Sequence, residues 1–186
     1  MKRAEALAIL AASKGDGLSV STMRAIPDWY DAGGAPDLNL DNRGCMGAAA
    51  GLGLGLAIAQ PSKRVMVLDG DGSLLMQLGG LASIAGLAPS NFYHFVLVNG
   101  VYETSGYQPI PASDTVDFPA LALAAGYRAA YEIEDAAVLS ERLPSILAQD
   151  GPILCALRVD PEQDRKPFPP NRPADPAGYL RAALVL

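Results

Sequence analysis

The chain has 186 residues, of which 50% are hydrophobic and 18% charged, with a formal net charge of −6. That length fits one domain with a real core, and the negative balance disfavours nucleic-acid binding, which calls for a basic patch. Two cysteines, Cys45 and Cys155, make no disulfide framework and read as reduced thiols of a cytoplasmic protein.

Apolar residues at Ala4, Leu7, Ala8 and Leu10 predict an opening amphipathic helix, ended by Gly15-Asp16-Gly17. No apolar leader with a cleavage site follows the charged start, so no signal peptide is expected. Leu18-Ser19-Val20 reads as a short strand, with Ser21-Thr22 offering the N-cap of a second helix. Residues 31–44, rich in Gly, Pro and Asp, read as a loop.

From there the chain alternates. Strand-like apolar runs lie at 64–68, 92–98, 128–133 and 153–159, and helix-like segments at 46–59, 73–85, 118–125 and 136–149. Such alternation predicts an α/β fold, a single doubly wound and mainly parallel sheet with helices on both faces. Val65-Met66-Val67-Leu68 and Phe95-Val96-Leu97-Val98 are apolar without alternation, as central parallel strands are. The segment 46–59 is the longest apolar stretch and is too short to span a bilayer, so no membrane segment is expected. Residues 161–176 hold six prolines and form an extension outside the core. A last helix at 177–184 is free to dock or to reach a partner. The whole of 1–186 reads as one domain.

Two constellations carry chemistry. In Val65-Met66-Val67-Leu68-Asp69-Gly70-Asp71-Gly72-Ser73, a buried strand ends in two glycines flanking an aspartate, and a helix begins. Ligands of doubly wound sheets bind at this carboxyl edge. Glycines let the backbone approach a phosphate, and a helix N-terminus favours an anion. A carboxylate there would repel a bare phosphate unless a cation lay between them, and magnesium commonly bridges a carboxylate to phosphates. The next buried strand ends at Asn99-Gly100, 28 positions after Asp71. A carboxylate oxygen and an amide oxygen on adjacent strand ends can share one hard cation. Alone, each motif reads as a turn; together they predict a magnesium and diphosphate site.

Gly-Asp-Gly followed at this spacing by Asn resembles the cofactor motif of thiamine diphosphate enzymes. The resemblance implies thiamine diphosphate and Mg2+ as cofactors, with metal ligands Asp71, Asn99 and the Val101 carbonyl, and Gly70, Gly72 and Ser73 at the diphosphate. A third segment, Asn42-Arg43-Gly44-Cys45-Met46-Gly47, opens a glycine-rich helix in which Gly51, Gly53 and Gly55 let neighbouring elements approach. It resembles the Gly-x-Met-Gly segment of thiamine-dependent decarboxylases and acetolactate synthases. By that resemblance Met46 is the apolar wedge under the cofactor, and Gly44 carbonyl and Met46 amide hold the aminopyrimidine. Cys45 stands where relatives often have Ser or Thr and reads as a small loop residue. A Rossmann fingerprint is excluded by context, since no strand directly precedes these glycines.

The segments 70–79 and 99–109 look like those of phosphonopyruvate and sulfopyruvate decarboxylases, whose two domains are divided in some organisms between alpha and beta subunits. This chain resembles the beta subunit. The resemblance implies decarboxylation of an anionic 2-oxo acid to carbon dioxide and an aldehyde, with an alpha, pyrimidine-binding subunit supplying the activating glutamate in a hetero-oligomer. Tyr102, Glu103 and Thr104 are candidate substrate contacts, Tyr102-Glu103 standing where some relatives carry a His-acid pair. The alternatives are the cofactor-binding subunit of an acetolactate synthase-like enzyme or 2-oxo acid oxidoreductase, and a non-catalytic partner domain. An iron–sulfur oxidoreductase would need more cysteines than two. His94, the only histidine, lies at the start of a strand and reads as structural.

Overall fold

The apolar runs around Val67 and Phe95 become the middle of a parallel sheet because each is covered on both sides by helices. The computed structural model describes residues 1–34, 36–163, 166–169 and 175–184. In chain order the elements are α1 (Arg3–Lys14), β1 (Leu18–Thr22), α2 (Ala25–Asp31), a 3-10 turn (Pro36–Leu38), β2 (Asn39–Asn42) and α3 (Ala49–Ala59). There follow β3 (Val65–Gly70), α4 (Asp71–Met76), α5 (Gly80–Leu87), β4 (Phe92–Val98), β5 (Val101–Tyr102), a 3-10 turn (Glu103–Ser105) and β6 (Gln108–Pro109). The last are α6 (Phe118–Ala125), β7 (Ala129–Ile133), α7 (Ala136–Leu147), β8 (Ile153–Arg158) and α8 (Pro176–Ala183).

Six strands pair in the order β2-β1-β3-β4-β8-β7, every pairing parallel, and β5-β6 form a small antiparallel ribbon. Successive residues of a strand face opposite sides. Val65, Val67, Phe92, Val96 and Val98 therefore pack against α3, α5 and α6, while Met66, Leu68, Tyr93, Phe95 and Leu97 pack against α1, α2 and α7. This is the doubly wound sheet expected from the alternation of elements.

Local expectations failed where tertiary partners intervened. Ser21 and Thr22 do not cap a helix. They extend β1, with Thr22 in register with Asn42 and its Oγ1 donating to the Asn42 carbonyl at 3.2 Å. Helix α2 starts at Ala25 without a side-chain cap. The supposed loop 31–44 contains the edge strand β2, whose polar residues pair by side chains as well as backbone. Ser19 Oγ donates to Asn39 Oδ1 (2.8 Å), and Asn39 Nδ2 donates to Ser21 Oγ (2.9 Å) and to Asp41 Oδ1 (2.7 Å). The single helix expected over 73–85 is two, broken between Met76 and Gly80, where Gly47 of the 44–47 loop is seated against Gln77. Helix α3 opens at Ala49 rather than at 46, because Gly44 and Gly47 take φ of +84° and +89°.

Of the three glycines in α3, only Gly53 provides a close approach: a Cβ there would lie 2.2 Å from Val67 Cγ2. Gly51 and Gly55 face open space, with nothing within 4 Å of an added Cβ. Helix α8 docks through Leu180 into the cluster beside β2. Of the proline-rich extension, residues 164–165 and 170–174 lie outside the described residues. Of its described parts, 161–163 and 166–169 have no regular structure, while Asp175 caps α8 and Pro176 opens it. Among the described residues no helix is long and apolar enough to cross a membrane.

Candidate functional site

After β1 the chain turns outward to β2, then returns to lay β3 on the other side of β1. The loops leaving β1 and β3 thus diverge, and a cleft opens between them at the carboxyl edge, where such sheets bind ligands. Its walls come from Thr22–Ala25 at the end of β1, Gly70–Ser73 at the end of β3, and Asn99 and Val101–Thr104 after β4, with Met46 closing one side.

Asp71 lies at the centre, 3% exposed. Its Oδ2 accepts from the backbone amides of Asn99 (2.9 Å) and Gly100 (2.7 Å), and Oδ1 accepts from Gly72 N (2.7 Å). Burial pushes its carboxyl above the ordinary value of 3.8. The amides of Gly100, Gly72 and Asn99 oppose that, the Glu103 charge adds to it, and the net shift is upward. A buried carboxylate in this condition gains from a cation. Two oxygens offer about four acceptor positions and three are taken, so Oδ1 retains one for a metal. Asn99 Oδ1 accepts from Val101 N (3.0 Å) and likewise keeps a lone pair.

The ribbon β5-β6 fixes the backbone at the third expected ligand. Ile110 N donates to the Gly100 carbonyl and Tyr107 N to the Tyr102 carbonyl, both at 3.0 Å. Strand alternation faces the intervening Val101 carbonyl away from β6, and Val101 lines the cleft. One carboxylate, one amide oxygen and one carbonyl could make an all-oxygen set of the kind magnesium takes. Among the described residues no cluster of three His, Cys, Asp or Glu competes as a metal site.

The loop bearing Gly44, Cys45 and Met46 is tied to this centre. Gly47 N donates to Ser73 Oγ (3.0 Å), and Asn42 Nδ2 donates to the Cys45 carbonyl (2.9 Å). The Cys45 thiol is exposed, whereas Met46 faces the cleft. Gly72 lies directly against Tyr102: a Cβ there would be 2.3 Å from the ring. Tyr102 and Thr104 both line the cleft.

Glu103, grouped with them as a candidate substrate contact on sequence grounds, also lines the cleft and is held from within the fold. It is 4% exposed; Oε2 accepts from Arg3 Nη1 at 2.6 Å and Oε1 from Glu162 N at 2.9 Å. Both oxygens of its carboxylate thus have partners within the chain. His94 is fully buried, as a structural residue is, but its partners lead to the cleft. Nε2 shares a hydrogen bond with Asp69 Oδ2 (3.2 Å) and Nδ1 one with Tyr127 OH (3.3 Å), while Asp69 Oδ1 accepts from Gly70 N (2.9 Å). Burial pushes the Tyr127 hydroxyl far up, so it stays protonated.

Sequence reasoning missed the wall after β1. Thr22 to Ala25 line the cleft, and Met23 takes a φ of +48° that non-glycine residues seldom adopt. The signal was available, because the rule applied to the ends of β3 and β4 holds equally for β1. Arg3 was missed as well, and a lone arginine near the start of an amphipathic helix carries no such signal.

An open parallel sheet with Gly-Asp-Gly at one strand end and Asn-Gly at the next, facing a switch-point cleft, is the arrangement of a diphosphate-binding domain. Residues 28–157 match the model of the family described as thiamine pyrophosphate enzyme, C-terminal TPP binding domain, and the chain belongs to that family. It is 45% identical over 143 residues to phosphonopyruvate decarboxylase of Streptomyces viridochromogenes, which covers 76% of this chain and 36% of that one. It is 41% identical over 118 residues to sulfopyruvate decarboxylase subunit beta of Methanothermobacter thermautotrophicus, covering 63% of this chain and 60% of that subunit. The fold is shared with thiamine diphosphate-dependent 4-hydroxybenzoylformate decarboxylase of Rhodococcus jostii RHA1, with a TM-score of 0.67 at 20% identity, over 88% of this chain and 33% of that one. The chain thus spans about a third of the phosphonopyruvate decarboxylase it matches and somewhat under two thirds of the beta subunit.

Proposed function

We propose that this domain is the diphosphate-binding half of a thiamine diphosphate- and magnesium-dependent 2-oxo acid decarboxylase of the sulfopyruvate or phosphonopyruvate type. It acts as a beta subunit completed by a pyrimidine-binding alpha subunit. The observation that carries the reading is the meeting of Asp71 with Asn99 and Gly100 on adjacent strand ends, at 2.9 and 2.7 Å.

The residues present fit the cofactor. Asp71, Asn99 and the Val101 carbonyl would hold magnesium. Gly70, Gly72 and Ser73 would border the diphosphate, and Gly44, Cys45 and Met46 would support the organic rings. Bound thiamine diphosphate supplies the electron sink that decarboxylation of a 2-oxo acid requires. This chain anchors and orients it, and Tyr102 and Thr104 form the wall nearest an incoming substrate.

The carboxylates at the cleft support a contribution from another domain. Asp69 is held by His94 and Gly70 N, Asp71 by three backbone amides, and Glu103 by Arg3. None of the three is available to face an aminopyrimidine, so an activating glutamate would come from the alpha subunit. The beta-subunit relatives support the same division.

The test is carbon dioxide release from sulfopyruvate and phosphonopyruvate by the chain with and without a pyrimidine-domain subunit, in thiamine diphosphate and Mg2+. Turnover is expected only with both subunits. Robust turnover by the chain alone would overturn the division, and turnover of pyruvate alone would favour an acetolactate synthase-like enzyme. Absence of any Mg2+-dependent stabilisation by thiamine diphosphate in the assembled pair would leave a non-catalytic domain.

A further inference from the structure

We infer that Arg3 is a positioning residue for the metal and diphosphate site, acting through Glu103 on the loop that carries Asn99 and Val101. The inference rests on the cofactor reading above and adds to it a residue more than ninety positions from Asn99 and Val101 in sequence.

Arg3 lies at the first turn of α1, yet it is only 2% exposed. Its three guanidinium nitrogens reach three carboxylates from three separate segments. Nε donates to Asp28 Oδ2 of α2 at 2.8 Å, Nη1 to Glu103 Oε2 at 2.6 Å, and Nη2 to Glu162 Oε2 in the segment after β8 at 2.9 Å. A planar fork is the side-chain shape that can do this from one position; an ammonium is a point charge and cannot match it.

Glu103 is the arm that matters for the site. It follows Tyr102, whose ring is packed on Gly72, and lies two residues after Val101. Fixing Glu103 therefore fixes the ring that covers the Gly-Asp-Gly turn and the strand that presents the Val101 carbonyl. Arg3 and Glu103 also both line the cleft. Without Arg3, Glu103 would be a buried carboxylate beside a site meant for an anion. Arg24 Nε lies 3.8 Å from Glu103 Oε2, too far for a hydrogen bond and therefore a weaker substitute. Arg3 thus has two effects, holding a loop in place and neutralising a charge, and both favour an anionic cofactor.

The experiment is calorimetric titration of thiamine diphosphate, at saturating Mg2+, into the full chain assembled with its pyrimidine-domain partner. Arg3→Met is expected to raise the Kd at least tenfold at a temperature where the variant is folded. Glu103→Gln, which weakens the same link from its other end, is expected to raise it at least threefold. Adding Glu103→Gln to Arg3→Met is expected to raise the Kd little beyond Arg3→Met alone, because both changes break one link. A residue that only stabilised the fold would lower the melting temperature without this pattern of coupled losses. An unchanged Kd in Arg3→Met, or losses that simply add in the double variant, would overturn the inference while leaving the cofactor reading intact. Absence of binding by the wild-type assembly would sink both. Should Arg3→Met not fold, Arg3→Lys carries the same test: a Kd raised at least threefold is expected, and an unchanged one refutes.

Discussion

Helix α3 carries the loop of Met46 on its N-terminal end, and its height above the sheet is set by Gly53. A methyl group added there would lie 2.2 Å from Val67 Cγ2 and 3.1 Å from Phe92 Cε2, against about 3.5–4.0 Å for relaxed carbon contacts. Both neighbours are fully buried and cannot swing aside. Overpacking of this kind costs roughly 1–3 kcal/mol, and so deep an overlap belongs at the upper end. The better helix propensity of alanine returns about 1 kcal/mol, so Gly53→Ala should destabilise the chain by roughly 2 kcal/mol. Gly51→Ala, two residues away, meets nothing within 4 Å and should stabilise by about 1 kcal/mol. The two variants should therefore differ by about 3 kcal/mol, or roughly 6–12 °C in Tm for a chain of this size. Urea unfolding and calorimetry of the two purified variants measure the gap. Equal stabilities, or Gly53→Ala the more stable, would refute the packing of α3 on β3. Because lifting α3 also pulls on the Gly47–Ser73 hydrogen bond, Gly53→Ala should weaken thiamine diphosphate binding as well.

Asp71→Asn removes the only ionised ligand of the proposed metal set, and Mg2+-dependent thiamine diphosphate binding should fall by about 100-fold or more, the upper range for loss of a supporting group around a metal; binding within threefold of wild type would exclude Asp71 as a ligand. Native labelling with N-ethylmaleimide should modify the exposed Cys45 and spare Cys155, whose thiol burial pushes up to about 12; mass spectrometry of the labelled chain decides. Burial pushes the Asp28 carboxyl up, but hydrogen bonds from Lys166 and Arg3 outweigh it and hold the group below its ordinary 3.8. A depressed carboxyl contributes stability above its unfolded value, and that stability is lost as the pH falls through the folded value. Wild-type stability should therefore drop on acidification below about pH 4, and Asp28→Asn should flatten that part of the profile. An identical acid limb in the two proteins would show that the Arg3–Asp28–Lys166 cluster contributes nothing there.

The order of strands and helices was legible because it is written in local pattern. Unbroken apolar runs such as 65–68 and 95–98 have one stable destination, a strand covered on both faces, and chain order then places their carboxyl ends on one edge. Asp71 and Asn99 were legible for the same reason, each being a polar residue set at the end of such a run. What the sequence could not carry was anything requiring a distant partner. Asn39–Asn42 is mostly polar and unremarkable in sequence, and becomes a strand by pairing with β1, where Ser19 and Ser21 add side-chain hydrogen bonds to the backbone ladder. The break between α4 and α5 lies where the 44–47 loop is seated at Gln77. The buried ion pair of Glu103 is made with Arg3, which no periodicity connects to it. Local periodicity reports which face of an element is apolar. Which charges meet across the fold is set by tertiary geometry, where burial makes each unpaired group costly and each pairing specific.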